Sequence, residues 1–347
     1  MTSAPPADLS AFESLSRGDE APSWVGAEIR RAWGLAADAS VQLIVVSENV
    51  TFRVVADDGP RMVVRLGRPG YAASPDHVRS EMEWVDALRT AAGIPTPGPV
   101  RGADGGLVQS LTADDGAVWS AAAFDFAEGE VLEDRADLAT HFVEIGRVTA
   151  ALHEHARAWA PPDGFVRFEW DVPDMVGETA RWGDWRAAPL DADQRRTLED
   201  AEREARALLG ALGVDRSPRH FGLIHADMRP SNVLVGDDAL TVIDFDDCGL
   251  GYYMYDFAAA LTFYEHRPEA RVMARNWIDG YRGLAPLSED DLAAGAALSM
   301  LRRLTMLGWA MTHRADALPA DLWDENLPGT VEVAERFLRD PLWLTRP

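Results

Sequence analysis

The order of elements in this chain predicts an α+β fold in two lobes, a small antiparallel sheet followed by a larger and mainly helical part. Strand-like runs crowd between residues 40 and 126, at Ser40–Val46, Thr51–Ala56, Arg61–Leu66, Leu107–Ser110 and Val118–Phe126. Asp57-Asp58-Gly59-Pro60, between the second and third runs, has the residue types of a hairpin turn. Beyond residue 127 apolar side chains recur mostly at helical intervals. The expected division is a flexible polar tail over 1–20, a sheet-bearing lobe over 21–126 and a second lobe over 127–347.

Taken in order, Trp24, Val25, Ile29 and Trp33 set a short helix over Ser23–Trp33 before the first strand. A helix follows the third strand over about 77–92, and Pro95-Thr96-Pro97-Gly98-Pro99 ends it. Phe142, Ile145, Val148 and Leu152 mark an amphipathic helix over Leu138–His155. His153 and His155, two positions apart, point to different faces of that helix, so they read as structural rather than as metal ligands. The segment 159–190 carries Trp159, Trp170, Trp182 and Trp185, either to stack on a ligand or to pack the lobe. Helices are expected again over Leu198–Leu212, Arg271–Tyr281, Asp290–Arg314 and Gly329–Phe337.

Composition narrows the function. A hydrophobic content of 47% is ordinary for a soluble globular protein. The net charge of -24 argues against a nucleic-acid partner, which needs a basic face, and is compatible with steering a cationic substrate or simply with solubility. The single cysteine, Cys248, cannot close an intrachain disulfide and is expected to pack as a small residue. With no basic-then-apolar leader and no run near about 18 apolar residues, the expectation is a cytoplasmic protein that does not enter membranes. All 33 basic residues other than histidine are arginine, so any cation that meets phosphate is Arg or His.

The chemistry concentrates in Leu223-Ile224-His225-Ala226-Asp227-Met228-Arg229-Pro230-Ser231-Asn232-Val233-Leu234-Val235 and Leu240-Thr241-Val242-Ile243-Asp244-Phe245-Asp246-Asp247. A strand feeds a polar loop; a second strand, a turn at Gly236-Asp237-Asp238 and a third strand ending in carboxylates follow. Asp227 on the loop, with Asn232 and Asp244 at neighbouring strand ends, is the set that phosphoryl transfer from Mg-ATP requires. Asp227 orients the acceptor hydroxyl and takes its proton, early or late, while Asn232 and Asp244 hold Mg2+ against the phosphates. His225 is expected to pack and hydrogen-bond within the loop, and Asp246 and Asp247 touch acceptor or metal or cap a turn.

These motifs resemble the aminoglycoside phosphotransferase family of the protein-kinase-like fold, on its homoserine-kinase and stress-response-kinase side, from about residue 41 to 263. The resemblance implies a nucleotide-binding first lobe, an acceptor-binding second lobe and ATP as co-substrate. It places Ser47-Glu48-Asn49-Val50-Thr51-Phe52, with Asn49, in a turn over the ATP phosphates, although no Gly-rich loop is present. Arg65 stands where the family has its phosphate-pairing lysine, and Glu81 is its expected ion-pair partner, with Glu83 two residues away as the other possibility. Asp125 and Phe126 fall in the segment that meets adenine through backbone groups. Arg229 is placed to stabilise the transferring phosphoryl group, and Asp256 to cap its own helix and brace the catalytic loop. The implied activity is transfer to a hydroxyl of an amino alcohol, hydroxy amino acid, sugar or antibiotic, by a monomer or homodimer. A protein Ser/Thr kinase and a non-catalytic nucleotide-binding regulator are the alternatives.

Overall fold

The computed structural model describes residues 9, 12, 14–47, 49–56, 61–69, 74–177, 179–236, 239–313 and 318–346. The hairpin turn 57–60, Glu48 and residues 237–238 of the other expected turn lie outside them. The chain forms two compact units, Met1–Glu128 with Pro161–Arg167, and Gly129–Ala160 with Phe168–Pro347.

The first unit begins with α1 (Ser23–Trp33), stopped by Gly34 in the left-handed region. Strands β1 (Ser40–Val46), β2 (Asn49–Val55) and β3 (Arg61–Gly67) precede α2 (Pro75–Ala91), and β4 (Val108–Thr112) and β5 (Val118–Asp125) complete the sheet. It is five-stranded and antiparallel in the order β1-β2-β3-β5-β4. Alternation along the strands sends Leu43, Phe52, Val54 and Val64 into a core shared with Val25 and Ile29 of α1, while Val78 and Met82 of α2 pack with Ala122. Asn49 to Phe52 belong to β2 and not to the expected turn over 47–52, because Asn49 already pairs with Gly67.

The expected tail is not all loose. Phe12 is buried against Trp24, Phe52 and Trp119. The chain then follows the edge of β1, where Gly18 and Ala21 donate to the carbonyls of Leu43 and Val41. Residues 161–167, placed by the sequence-based division with the later residues, group with the first unit for a visible reason. Val166 donates to the Ser80 hydroxyl at 2.9 Å, and Arg167 donates to the His77 carbonyl at 2.7 Å.

The second unit starts with β6 (Glu130–Val131) and α3 (Phe142–Ala158), which follows a 3-10 turn at Leu138–His141. Next come β7 (Phe168–Trp170), α4 (Val172–Val176), α5 (Ala192–Ala211), β8 (Phe221–Ile224), β9 (Val233–Val235), β10 (Leu240–Val242) and β11 (Gly249–Tyr252). Helices α6 (Met254–Ala260), α7 (Ala270–Arg282), α8 (Glu289–Ala310) and α9 (Ala320–Arg339) follow. The two small sheets run β10-β9-β6 and β7-β11-β8. Three of the four tryptophans of 159–190 serve packing: Trp170, Trp182 and Trp185 are buried, with the Trp170 indole N–H on the Asp247 carbonyl and that of Trp185 on Glu202. Helix α8 carries a Ser288/Asp291 capping box and is buried all round from Leu292 to Ala310, which makes it the central helix of this unit. Among the described residues no helix is long and apolar enough to cross a membrane.

Helices α3 and α7 meet backbone to backbone. A Cβ on Gly146 would lie 2.0 Å from the Trp277 carbonyl oxygen, and one on Gly280 would lie 1.8 Å from that of Val143. Only glycine permits this approach. Gly280→Ala should therefore force the helices apart and lower stability by about 2–3 kcal/mol in urea denaturation, whereas Gly210→Ala, whose added methyl meets nothing within 4 Å, should leave stability unchanged or slightly raised.

Candidate active site

Strand β8 delivers His225, Ala226 and Asp227 to a loop whose shape is fixed from below. Ala226 sits at φ 68°, a left-handed conformation that costs an alanine about 1–2 kcal/mol. The Asp256 carboxylate, fully buried on α6, holds it there by accepting the backbone N–H groups of His225 (3.1 Å) and Ala226 (2.7 Å). Asp256 therefore braces the loop and does not cap its helix: Tyr253 is the N-cap residue, with no side-chain bond. His153 of α3 donates from Nε2 to Asp256 and accepts at Nδ1 from the Tyr281 hydroxyl, both at 3.0 Å. Burial pushes the His153 imidazole below its usual range, more than neighbouring Asp256 raises it. The His225 ring ties the loop's upper side, accepting from the Asp227 N–H and donating to the Ile243 carbonyl, each at 3.2 Å.

Each oxygen of Asp227 has a donor. Oδ1 accepts a close, charge-assisted hydrogen bond from Arg302 Nη2, while Oδ2 accepts from Asn232 Nδ2 at 2.8 Å and lies 3.4 Å from Arg229 Nε. Arg302 enters from α8 and is fully buried. It also donates to the Ala226 carbonyl, the Tyr255 hydroxyl and the Thr262 hydroxyl at 3.0–3.2 Å, with Trp182 and Tyr255 flanking the guanidinium. Burial opposes its charge, but Tyr255 and Asp227 outweigh that and hold the guanidinium above the usual arginine range. Arg302 had no place in the sequence-derived site. Two arginines inside an otherwise apolar helix were its visible signal, since a charge at such a position must be paired.

Asn232 closes a 3-10 turn over Pro230–Asn232 and gives both amide hydrogens to Asp227, one to the carboxylate and one to the backbone carbonyl (2.9 Å). Its Oδ1 is thereby turned away from Asp227. The Asn232 carbonyl accepts the Ile243 N–H at 3.0 Å, which keeps Asp244 in the adjoining segment, and Asp244 itself sits at φ 61°. An amide oxygen and a carboxylate are hard oxygen donors of the kind that bind Mg2+ or Ca2+. Arg229 reaches past Asp227 toward Phe263, and its Nη1 is buried with no hydrogen-bond partner. Glu133 and Tyr264 face it; burial raises the Glu133 carboxyl despite the Arg229 charge.

In the first unit, Arg65 of β3 donates to Glu81 of α2 at 2.6 Å in a buried pair, and Arg167 stands 3.9 Å from the same carboxylate oxygen. Glu83 pairs with Arg79 instead. Asn49 is buried in β2, and its Oδ1 accepts the Arg68 N–H at 3.3 Å. Asp125 and Phe126 continue the sheet of this unit. Their N–H groups are bonded to the carbonyls of Gly98 (2.8 Å) and Arg61 (3.1 Å), because the sheet continues through this segment. The Asp125 side chain is exposed beside Arg89, and the Phe126 ring lies under Arg61.

A loop aspartate held by a buried arginine and an asparagine, in a helical unit that follows a small-sheet unit in the chain, defines a phosphotransferase of the kinase-like class. The chain belongs to the phosphotransferase enzyme family, whose model matches residues 42–289. A microcompartment-associated aminopropanol kinase of known structure is 32% identical, superposes with a TM-score of 0.81, and shares 92% of this chain and 98% of its own. Homoserine kinase of Rhodospirillum rubrum is 29% identical over 295 residues, 82% of this chain and 80% of that protein. Amicoumacin kinase hAmiN, solved with AMP-PNP, Ca2+ and Ami, is 20% identical at a TM-score of 0.70 and shares 90% of this chain and 92% of its own, a likeness of fold.

Two measurements probe the loop's supports. Arg302→Met should cost about 3 kcal/mol of stability and at least about 100-fold in kcat, since it strips a buried partner from Asp227. Because the His153 ring is held below its usual range, the unfolded chain takes up a proton first on acidification, so stability present above about pH 6.5 is lost as pH falls. The urea midpoint should drop between pH 7 and pH 5, and His153→Gln should shrink that drop.

Proposed function

We propose that this enzyme transfers the γ-phosphoryl group of Mg-ATP to the hydroxyl of a small amino alcohol. It is a kinase acting on a small-molecule hydroxyl, and the observation that carries the mechanism is the fixed carboxylate of Asp227 between Arg302 and Asn232. Asp227 orients the acceptor hydroxyl. As the acceptor oxygen bonds to the γ-phosphorus and the bond to the β–γ bridging oxygen breaks, the hydroxyl proton passes to Asp227 and ADP departs. Arg229, with its unpartnered Nη1 beside Asp227, stabilises the charge on the moving phosphoryl group. Asn232 Oδ1 and the Asp244 carboxylate would hold Mg2+, which when bound neutralises phosphate charge.

In the first unit, Arg65 is oriented by Glu81 to meet phosphate oxygens through its planar fork. Asn49 steadies the start of β2 through the Arg68 N–H and supports phosphate binding from there. Nucleotide binding is assigned to residues 21–126 and acceptor binding to 127–347. The near full-length likeness to an aminopropanol kinase favours an amino alcohol, and the charge of -24 suits a cationic acceptor and disfavours nucleic acid. A cytoplasmic setting, where ATP is supplied, accords with the lone buried Cys248.

Asp227→Asn should lower kcat about 10³-fold or more while Mg-ATP still raises the melting temperature; unchanged turnover would remove Asp227 from this role. ATP consumption across aminopropanol, ethanolamine, homoserine, ribose and aminoglycosides, with mass spectrometry of products, should give the highest kcat/KM for an amino alcohol. Phosphorylation of added protein in place of these compounds would overturn the acceptor class.

A further inference from the structure

A cavity of about 360 Å³ opens in the second unit where α3, α7 and α8 meet the chain entering β8 and leaving β11. It is distinct from the loop that carries Asp227. The cavity touches His220, before β8, while Asp227 follows that strand, so roughly 13 Å of strand separates them at about 3.3 Å per residue.

The walls define a ligand. Tyr252, Tyr253 and Tyr281 supply aromatic surface, and Leu287 and Leu298 supply aliphatic surface. The two carboxylates that reach the cavity are already engaged. Glu154 accepts Arg157 Nη1 at 2.6 Å, and Asp291 accepts the Ser288 N–H and hydroxyl in the α8 capping box. Arg157 is fixed over the Tyr253 ring, 4.2 Å from its centroid. Arg219 lies at the rim, exposed, and forms no ion pair with the described residues. Aromatic walls with an unengaged guanidinium fit a small organic anion, an aromatic ring bearing one carboxylate.

The cavity also adjoins both supports of Asp227. Arg157 donates to the Tyr281 hydroxyl. Tyr281 then donates to His153, His153 to Asp256, and Asp256 holds the His225 and Ala226 N–H groups. Leu298 lies one helical turn before Arg302 on α8, on the same face. We propose that this cavity binds a small aromatic carboxylate and that its occupancy is transmitted to the Asp227 loop through the Tyr281–His153–Asp256 chain.

The binding and exchange measurements need no acceptor. Phenylacetate, 4-hydroxyphenylacetate and the neutral phenylacetamide are titrated by calorimetry, and hydrogen exchange of the 221–232 backbone is followed with and without each. The acids should bind with Kd of about 1 mM or tighter, the amide at least about 10-fold more weakly, and Arg219→Ala should lose binding by a similar factor while its ATP consumption stays at the wild-type rate. Bound acid should slow exchange at 225 and 226 at least about threefold. Tyr281→Phe should keep the binding and lose that slowing. Absence of binding at about 10 mM, equal binding by the amide or by Arg219→Ala, or a loop whose exchange ignores the acid would each overturn the proposal. None of these outcomes bears on the role of Asp227 in transfer.

Discussion

The second unit depends on one buried carboxylate. Asp256 has no contact with solvent, and its two oxygens are occupied by two backbone N–H groups and an imidazole. A buried charge without such donors would be strongly destabilising, so the loop and the carboxylate require each other. That mutual need keeps Ala226 in a backbone region that alanine otherwise avoids. From there Asp227 emerges in a single orientation, ready for the Arg302 and Asn232 groups that complete its surroundings. Support arrives from three helices distant in sequence, α3, α6 and α8, each giving one side chain. The loop itself is short; its order is imported.

Much of this was legible beforehand. Alternating apolar residues located all five strands of the first sheet, because a half-buried strand must repeat every two residues. The buried faces of α3 and α5 followed from their period in the same way. Asp227, Asn232 and Asp244 could be found because their chemistry requires particular residue types at a short spacing. The structure brings Asp227 and Asn232 into direct contact and ties the segment of Asp244 to them. Relatives that phosphorylate small alcohols match the same reading.

What stayed hidden shares a physical cause: it depends on partners far along the chain or on backbone bonds without a side-chain signature. Arg302 is 75 residues from Asp227, and nothing local marks which acid it meets. The N–H groups of Asp125 and Phe126 are consumed by Gly98 and Arg61, a matter of where the sheet ends rather than of residue type. Phe12, in a stretch of tail-like composition, is buried because the sheet offers an aromatic pocket that composition does not reveal. For the tryptophans of 159–190 both ligand stacking and packing were legible, and what decides for packing at Trp170, Trp182 and Trp185 is burial by segments far along the chain.

The Arg65–Glu81 pair shows, at one point, what a chain without lysine means throughout. Guanidinium groups keep their charge at every pH a folded protein survives, whereas amines begin to surrender theirs near pH 10. No side-chain amine is present in this sequence to lose its proton as the solution turns alkaline. The molecule's charge is consequently almost flat across mildly alkaline solution. Reagents that seek out lysine side chains find none to modify among these 347 residues.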